Sequence, residues 1–378
     1  MIYLDNAATT FPKPNSVYLK MDEFARSSAV NAGRGSYKLA RDAVGLIDET
    51  KKQIRELMSL DSGCEVVFSP SITVAMNQIV FGLSWNDGDN VYVSPYEHNA
   101  VARTLNYLKK RININVRELP INKESLEIDI DKIRYDFAKY RPKAIFCTHV
   151  SNVTGYILPV KEIFDEGKKY GSINVVDTAQ SLGLIDVDAK ALSVDLVAFT
   201  GHKTLYGPMG IGGFVNVTGI VIDEYIVGGT GSDSLNLDMP QKGASKYEAA
   251  STNIVAIAGL NEALKVLSVS DNYKKERDLT SALIRKIKNT NGIQLHIPQN
   301  PDSHVGIVSF TVNGMSSEDV AMILDEDFDI AVRSGYHCAP FIHKYLRDEK
   351  NLGTVRVGLS VFNTMEDIDM LVHAIQNI

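Results

Sequence analysis

A mostly parallel sheet wrapped by helices, with a second and smaller lobe, is the α/β architecture predicted for this chain, and three observations carry it. Short apolar runs alternate with stretches of helical periodicity, each run stops abruptly at polar residues, and 378 residues with 44% apolar content can bury a large core. Glu65 to Phe68 reads as a strand because Val66, Val67 and Phe68 are β-branched or aromatic. After the turn residues Ser69-Pro70-Ser71, Thr73 to Leu83 reads as a helix, with Val74, Ile79, Val80 and Leu83 at apolar positions. Asn90 to Val93, Ala144 to Cys147, Ile173 to Val176 and Val194 to Phe199 read as further strands. Asp329 to Val332 is strand-like, and Thr354 to Gly358 alternates apolar and polar residues. The strip to about Pro14 is expected to cross to the smaller lobe, and a helix near Ile254 to Leu267 to lead into it. The expected division is therefore a large domain at 15–255 and a small one built from 1–14 and 256–378.

Charge and composition exclude several classes. A formal charge of -7 without a basic tract disfavours nucleic acid or an anionic membrane as the main partner. Met1 runs directly into Ile2-Tyr3-Leu4-Asp5 without a charged leader, and no apolar run is long enough to span a bilayer, so a cytoplasmic location is expected. Cys64, Cys147 and Cys338 are widely spaced and odd in number, which does not suggest a disulfide framework. His337, Cys338 and His343 lack a second ligand pair at finger-like spacing, so no metal is expected. Gly201-His202-Lys203-Thr204 lacks the glycine spacing of a Walker motif, and no strand leads into GxGxxG.

The chemistry lies where two consecutive apolar runs end. Ile173 to Val176 is followed by Asp177-Thr178-Ala179-Gln180, and Val194 to Phe199 by Thr200-Gly201-His202-Lys203. In a parallel sheet both ends fall at one edge, where open α/β folds place their ligands. A lysine that can form a Schiff base and a carboxylate that can hold a ring nitrogen protonated are what a pyridoxal phosphate site needs. Taken singly, Lys203 could be a solvated lysine and Asp177 a helix N-cap. Their pairing, with His202 and the glycine-rich Gly207 to Gly213 just beyond, points to the cofactor.

With these residues in place, the chain resembles the class V aminotransferases of fold type I, and within them the SufS-like branch of the cysteine desulfurases. The matching segments are YLDNAATT (Tyr3–Thr10), EHN (Glu97–Asn99), HVSNVTG (His149–Gly155), DTAQ, FTGHKTLYGPMGIGG (Phe199–Gly213), YEAASTN (Tyr247–Asn253), RSGYHCAP (Arg333–Pro340) and VRVGLSVFNT (Val355–Thr364). They follow family order over essentially the whole chain. The resemblance implies a seven-stranded, mostly parallel sheet in the large domain and a smaller α+β domain.

It also implies roles. Lys203 holds pyridoxal phosphate and then serves as the base. Asp177 tunes the ring nitrogen, and His98, as a catalytic residue, stacks on the ring with its imidazole near the substrate for proton transfer. Asn152 and Gln180 meet the phenolic oxygen or the substrate carboxylate. Thr73 at a helix start, with Thr200 and His202, contacts the phosphate, for which helix amides and hydroxyls are suited. Related chains usually carry Thr-Glu where this one has Thr73-Val74. Ser251 replaces the threonine that reaches the phosphate from the other subunit, which implies a homodimer with composite sites. Arg34, in Asn31-Ala32-Gly33-Arg34-Gly35, matches an RG motif near the entrance.

Arg356 is the expected carboxylate anchor, because a guanidinium fork matches a carboxylate with two hydrogen bonds. Cys338, on a glycine-bearing loop with arginine and histidine nearby to favour its thiolate, is the expected sulfur acceptor. Tyr336 stands where a histidine is frequent, and Pro340 follows Ala339 one residue early. The implied reaction converts L-cysteine to L-alanine, leaves a persulfide on Cys338 and passes sulfur to a protein acceptor, as iron-sulfur cluster assembly requires. The rivals are a selenocysteine lyase acting on L-selenocysteine, an aminotransferase, and a non-catalytic adaptor of sulfur assembly.

Overall fold

Thirteen strands are formed by the residues described in the computed structural model, which are 1–33, 35–231 and 235–378. In chain order they are β1 (Ile2–Tyr3), β2 (Glu65–Ser69), β3 (Asn90–Val93), β4 (Asn115–Glu118), β5 (Pro142–Thr148), β6 (Ile173–Asp177), β7 (Leu196–Thr200), β8 (Gly212–Asn216), β9 (Ile293–His296), β10 (Ile307–Val312), β11 (Ile330–Ala331), β12 (Arg333–Gly335) and β13 (Thr354–Gly358). Seven of them make one sheet in the order β2-β8-β7-β6-β5-β3-β4. The β4-β3-β5-β6-β7 pairings are parallel, and β8 runs antiparallel to both β7 and β2.

The apolar runs are continuous because both faces of this sheet are covered. Along β7, Val197 and Phe199 enter one buried cluster while Leu196 and Ala198 enter the other. Along β5, Ile145 and Cys147 alternate with Ala144 and Phe146 in the same way. This is the period of two of a strand read against two hydrophobic layers. Each fully buried large side chain contributes about 2 kcal/mol of transfer free energy.

Two strands of the sheet have weak signatures in the sequence. β4, Asn-Val-Arg-Glu, is a half-exposed edge strand with too little apolar content to announce itself. β8 begins with two glycines and reads as a loop, yet it lies between β2 and β7. A Cβ on Gly213 would come within 2.0 Å of the Val67 carbonyl oxygen, so the glycine is a condition of pairing there. The predicted Asp329–Val332 strand is also divided. Asp329 caps the helix Ser317–Phe328 in the left-handed region at φ 55°, and the chain then pairs first with β1 and afterwards with β13.

A four-stranded antiparallel sheet, β12-β13-β10-β9, carries the C-terminal third. Its core holds Val308, Phe310, Val355 and Val357 against Leu279 and Leu283 of one helix and Leu371 of another. Leu4 joins this core, and β1 pairs parallel with β11, so the N-terminal strip packs with the small sheet. The strip then reaches the large sheet, where the Thr10 N–H and the Thr9 hydroxyl donate to the His202 carbonyl at 3.1 and 3.0 Å. The helix Ile254–Val266 matches its prediction within a residue, and its Ala256, Ile257 and Leu260 pack in the large sheet's core. Among the described residues no helix is long and apolar enough to cross a membrane.

Candidate active site

Parallel neighbours that end together deliver their next residues to one edge. Asp177 closes β6 and Thr200 closes β7, with His202 and Lys203 in the following turn. β5 leads into His149 and Asn152, and β3 into Glu97 and His98. Four adjacent strands thus supply the edge, and the small sheet faces it through Arg333, Cys338 and Arg356.

Lys203 is partly covered, and its amine is lowered to about 8, chiefly by loss of water, with Asp177 opposing and Arg356 and Arg333 adding to the effect. The buried Asp177 carboxyl is raised by burial, against the Ala179 N–H that it accepts at 2.8 Å and the Lys203 charge. The Lys203 turn is fixed by the N-terminal strip: the Thr10 hydroxyl donates to the Lys203 carbonyl at 3.0 Å and the Lys13 amine to the His202 carbonyl at 2.6 Å.

His98 caps the helix Asn99–Lys109. Its Nδ1 accepts from the Ala100 N–H at 3.0 Å, and since a backbone amide can only donate, the ring proton resides on Nε2. Burial, with the charges of Lys203, Arg333, Arg356 and Arg103, lowers the imidazole to about 4. At neutral pH His98 therefore presents a neutral ring with one N–H to donate.

Arg356 is the largest fully buried side chain, and it is already engaged. Its Nη2 donates to Asp5 Oδ1 at 2.6 Å and its Nη1 to the Asn152 carbonyl at 2.9 Å, while Nε has no partner among the described residues. Asn152 in turn donates through Nδ2 to the His337 carbonyl at 2.7 Å, and Gln180 through Nε2 to the Ala7 carbonyl at 2.8 Å. Each of these amides keeps one further N–H. Arg333 Nη2 lies 3.4 Å from Cys338 Sγ, a charged donor facing the thiol.

Two of the expected phosphate contacts, Thr73 and Ser251, are surface residues. The N-cap of the helix Ile72–Gly82 is Ser71, whose hydroxyl accepts from the Val74 N–H at 3.3 Å; Thr73 is the second residue inside and is exposed. Ser251 lies on an exposed loop, with Asn31 Nδ2 at 3.5 Å from its hydroxyl, beside a recess of about 260 Å³ that Ser69, Pro70 and Gly210 also line. Arg34 lies outside the described residues.

A profile of the class-V aminotransferases matches residues 2–371. The chain belongs to the class-V aminotransferase family. Among relatives of this class-V chain, a probable cysteine desulfurase of Methanothermobacter thermautotrophicus is 32% identical, over 100% of this chain and 94% of that protein. A cysteine desulfurase of Escherichia coli is 30% identical, over 100% and 93%. The apo structure of a cysteine desulfurase from Thermococcus onnurineus superposes with a TM-score of 0.91 at 29% identity, covering 100% of this chain and 94% of that one.

The cofactor of this class-V protein is pyridoxal phosphate, and the residues present fit it. Thr200 Oγ1 and His202 Nδ1 are buried polar atoms without a partner among the described residues, at the foot of the Lys203 turn, where a phosphate would satisfy them. Lys203 supplies an amine that deprotonates near neutrality, and Asp177 a buried carboxylate beside it. Three residues were not singled out in the sequence: Asp5, Arg333 and His149, a buried histidine lowered to about 4 by burial. All lie inside the matching motifs, so the signal existed, but only the folded chain connects Asp5 with Arg356, 351 positions away.

Proposed function

We propose that this chain converts L-cysteine to L-alanine and retains the sulfur on Cys338; it is a pyridoxal phosphate-dependent cysteine desulfurase. The observation that carries this is Arg333 Nη2 at 3.4 Å from the Cys338 thiol, on a loop bonded to Asn152 and to the helix that His98 caps. An aminotransferase would have no use for a cation directed at a thiol.

In this reading Lys203, Asp177, Thr73, Thr200, His202, His98, Asn152 and Gln180 hold the cofactor, and Ser251 reaches the phosphate of the partner subunit. When bound, the cofactor supplies an electron sink that labilises the bonds around the substrate Cα and Cβ. Arg356 holds the substrate carboxylate through donors that Asp5 and Asn152 leave free. The Lys203 amine takes the Cα proton, which requires it uncharged, and burial provides for that. The His98 Nε2–H donates to the ligand and keeps its proton. Cys338 Sγ, which the Arg333 guanidinium faces at 3.4 Å, attacks the substrate sulfur. The S–S bond forms as the Cβ–S bond breaks, Cβ keeps the electron pair and is protonated, and the balance is cysteine plus thiol giving alanine plus persulfide.

Three further parts belong to the proposal. Val221, Val227, Leu235 and Leu237 are exposed apolar residues, and Leu237 is 99% exposed, which supports a homodimer that covers them. A groove of about 710 Å³ beside Cys338, lined by Arg103, Asn106, Lys109, Tyr336 and Phe341, supports a protein sulfur acceptor. Iron-sulfur assembly is carried by the resemblance alone, and the cytoplasmic location by the sequence expectation. The division at 15–255, against 1–14 with 256–378, is kept, with the helix Ile254–Val266 as the element that still touches the large core.

The test is alanine and sulfide release from L-cysteine with a reducing thiol, in the loaded wild type and Cys338→Ala. Equal yields that vanish in the variant are expected. A normal cofactor band without any alanine would move the assignment to another class-V reaction.

A further inference from the structure

Three consecutive carbonyls of the Cys338 loop are each held by a different part of the chain. Tyr336 O accepts from His343 Nε2 at 3.0 Å, in addition to the Ala339 N–H that closes the turn across Cys338 at 2.9 Å, His337 O from Asn152 Nδ2 at 2.7 Å, and Cys338 O from the Asn99 N–H at 2.7 Å. The loop needs such holding. His337 and Cys338 have φ of 46° and 58°, a conformation that costs a non-glycine residue about 1–2 kcal/mol and persists only where surroundings over-determine it.

Two of these donors cannot vary, being an amide side chain and a backbone N–H. The third is a histidine, whose tautomer must be set. His343 Nε2 faces a carbonyl, which can only accept, so Nε2 must be the donor; Nδ1 faces Asp348 Oδ2 at 2.6 Å. Both side chains are buried, with Asp348 at 0% exposure, and the edge of the Tyr336 ring closes on the imidazole at 5.0 Å. Asp348 Oδ1 has no partner among the described residues, so its side chain serves His343 alone. A buried acid–histidine couple is a poor source of stability compared with apolar side chains of the same volume, which leaves orientation as its use.

We propose that His343, oriented by Asp348, is a positioning residue that fixes the Tyr336 carbonyl and thereby keeps Cys338 within reach of the substrate sulfur. This rests on Cys338 being the sulfur acceptor. It assigns to a pair outside the cofactor site the task of holding the nucleophile's loop.

The experiment is the first turnover of the loaded enzyme with L-cysteine and no reductant, where alanine formed equals persulfide formed. His343→Phe keeps the ring and removes the donor: first-turnover rate is expected to fall at least tenfold, with cysteine affinity and the cofactor band unchanged. Amide hydrogen exchange over residues 336–340 should quicken. His343→Gln, whose amide can donate to the same carbonyl, should recover to within about threefold of wild type. A wild-type rate in His343→Phe, or a His343→Gln as slow as the phenylalanine variant, would overturn the proposal. If His343→Phe does not fold, as its cofactor band will report, Asp348→Ala decides: slowed turnover with quickened exchange supports the clamp, and an unchanged rate sinks it. A wild type that forms no alanine in its first turnover would defeat the desulfurase reading instead.

Discussion

The two halves of the site are built by opposite means. On the large sheet, Asp177, Thr200, His202 and Lys203 arrive at one edge because β6 and β7 are parallel and adjacent, so position follows from where apolar runs stop. On the small sheet, Arg333, Cys338 and Arg356 are placed by contacts that span the chain, with Asp5 on Arg356 and Asn99 on the Cys338 carbonyl. The first half rests mainly on sheet ladders, with the Lys203 turn tied down by Thr10 and Lys13; the second is held by individual polar contacts and is correspondingly vulnerable to single substitutions.

The largest test of the first half is Lys203→Ala, which should lower turnover by at least about 10³-fold and abolish the cofactor's bound absorbance. Retained activity would remove the edge from the chemistry. Arg333→Ala tests the second half. It should cut kcat by about tenfold or more, with the absorbance intact, because the thiol loses its charged donor. Loss of cofactor binding in this variant would mean that the two halves are not separable.

Asp5→Asn should raise KM for cysteine about tenfold and cost about 1–3 kcal/mol in urea unfolding, less than a fully buried pair because Asp5 is partly exposed. Thr200→Val sharpens the contrast further. It should weaken pyridoxal phosphate binding about tenfold while leaving the cofactor-free protein as stable as before or slightly more so, because an unpartnered buried hydroxyl is removed. Equal destabilisation with and without cofactor would show that Thr200 is structural.

The smallest effect is a pH dependence. With Lys203 lowered to about 8 from 10.5, the cofactor-free fold binds fewer protons than the unfolded chain between those values, so its stability rises with pH across that window. Lys203→Met should remove that rise. Loading with pyridoxal phosphate should quicken as pH approaches about 8 and level off above it, as followed by absorbance. A loading rate that keeps climbing beyond pH 10 would indicate an unperturbed lysine.

Much of this was legible in the residues. Apolar runs covered on both faces, each stopping at a polar group, were sufficient to read five strands of the large sheet and to gather Asp177 and Lys203 at its edge, because local composition there reports a parallel sheet's burial directly. β4 escaped, since an edge strand needs little apolar content, and β8 because its two glycines answer to the backbones of β2 and β7. Tertiary structure alone decided that Arg356 is shared between Asp5 and Asn152, that His98 caps a helix through Nδ1 and so keeps a neutral Nε2–H, and that the Cys338 loop is tied to Asn99 and Asn152 of distant segments. Hydrophobic periodicity is written locally along a chain, whereas a hydrogen bond to a particular carbonyl depends on which backbone the fold brings within 3 Å.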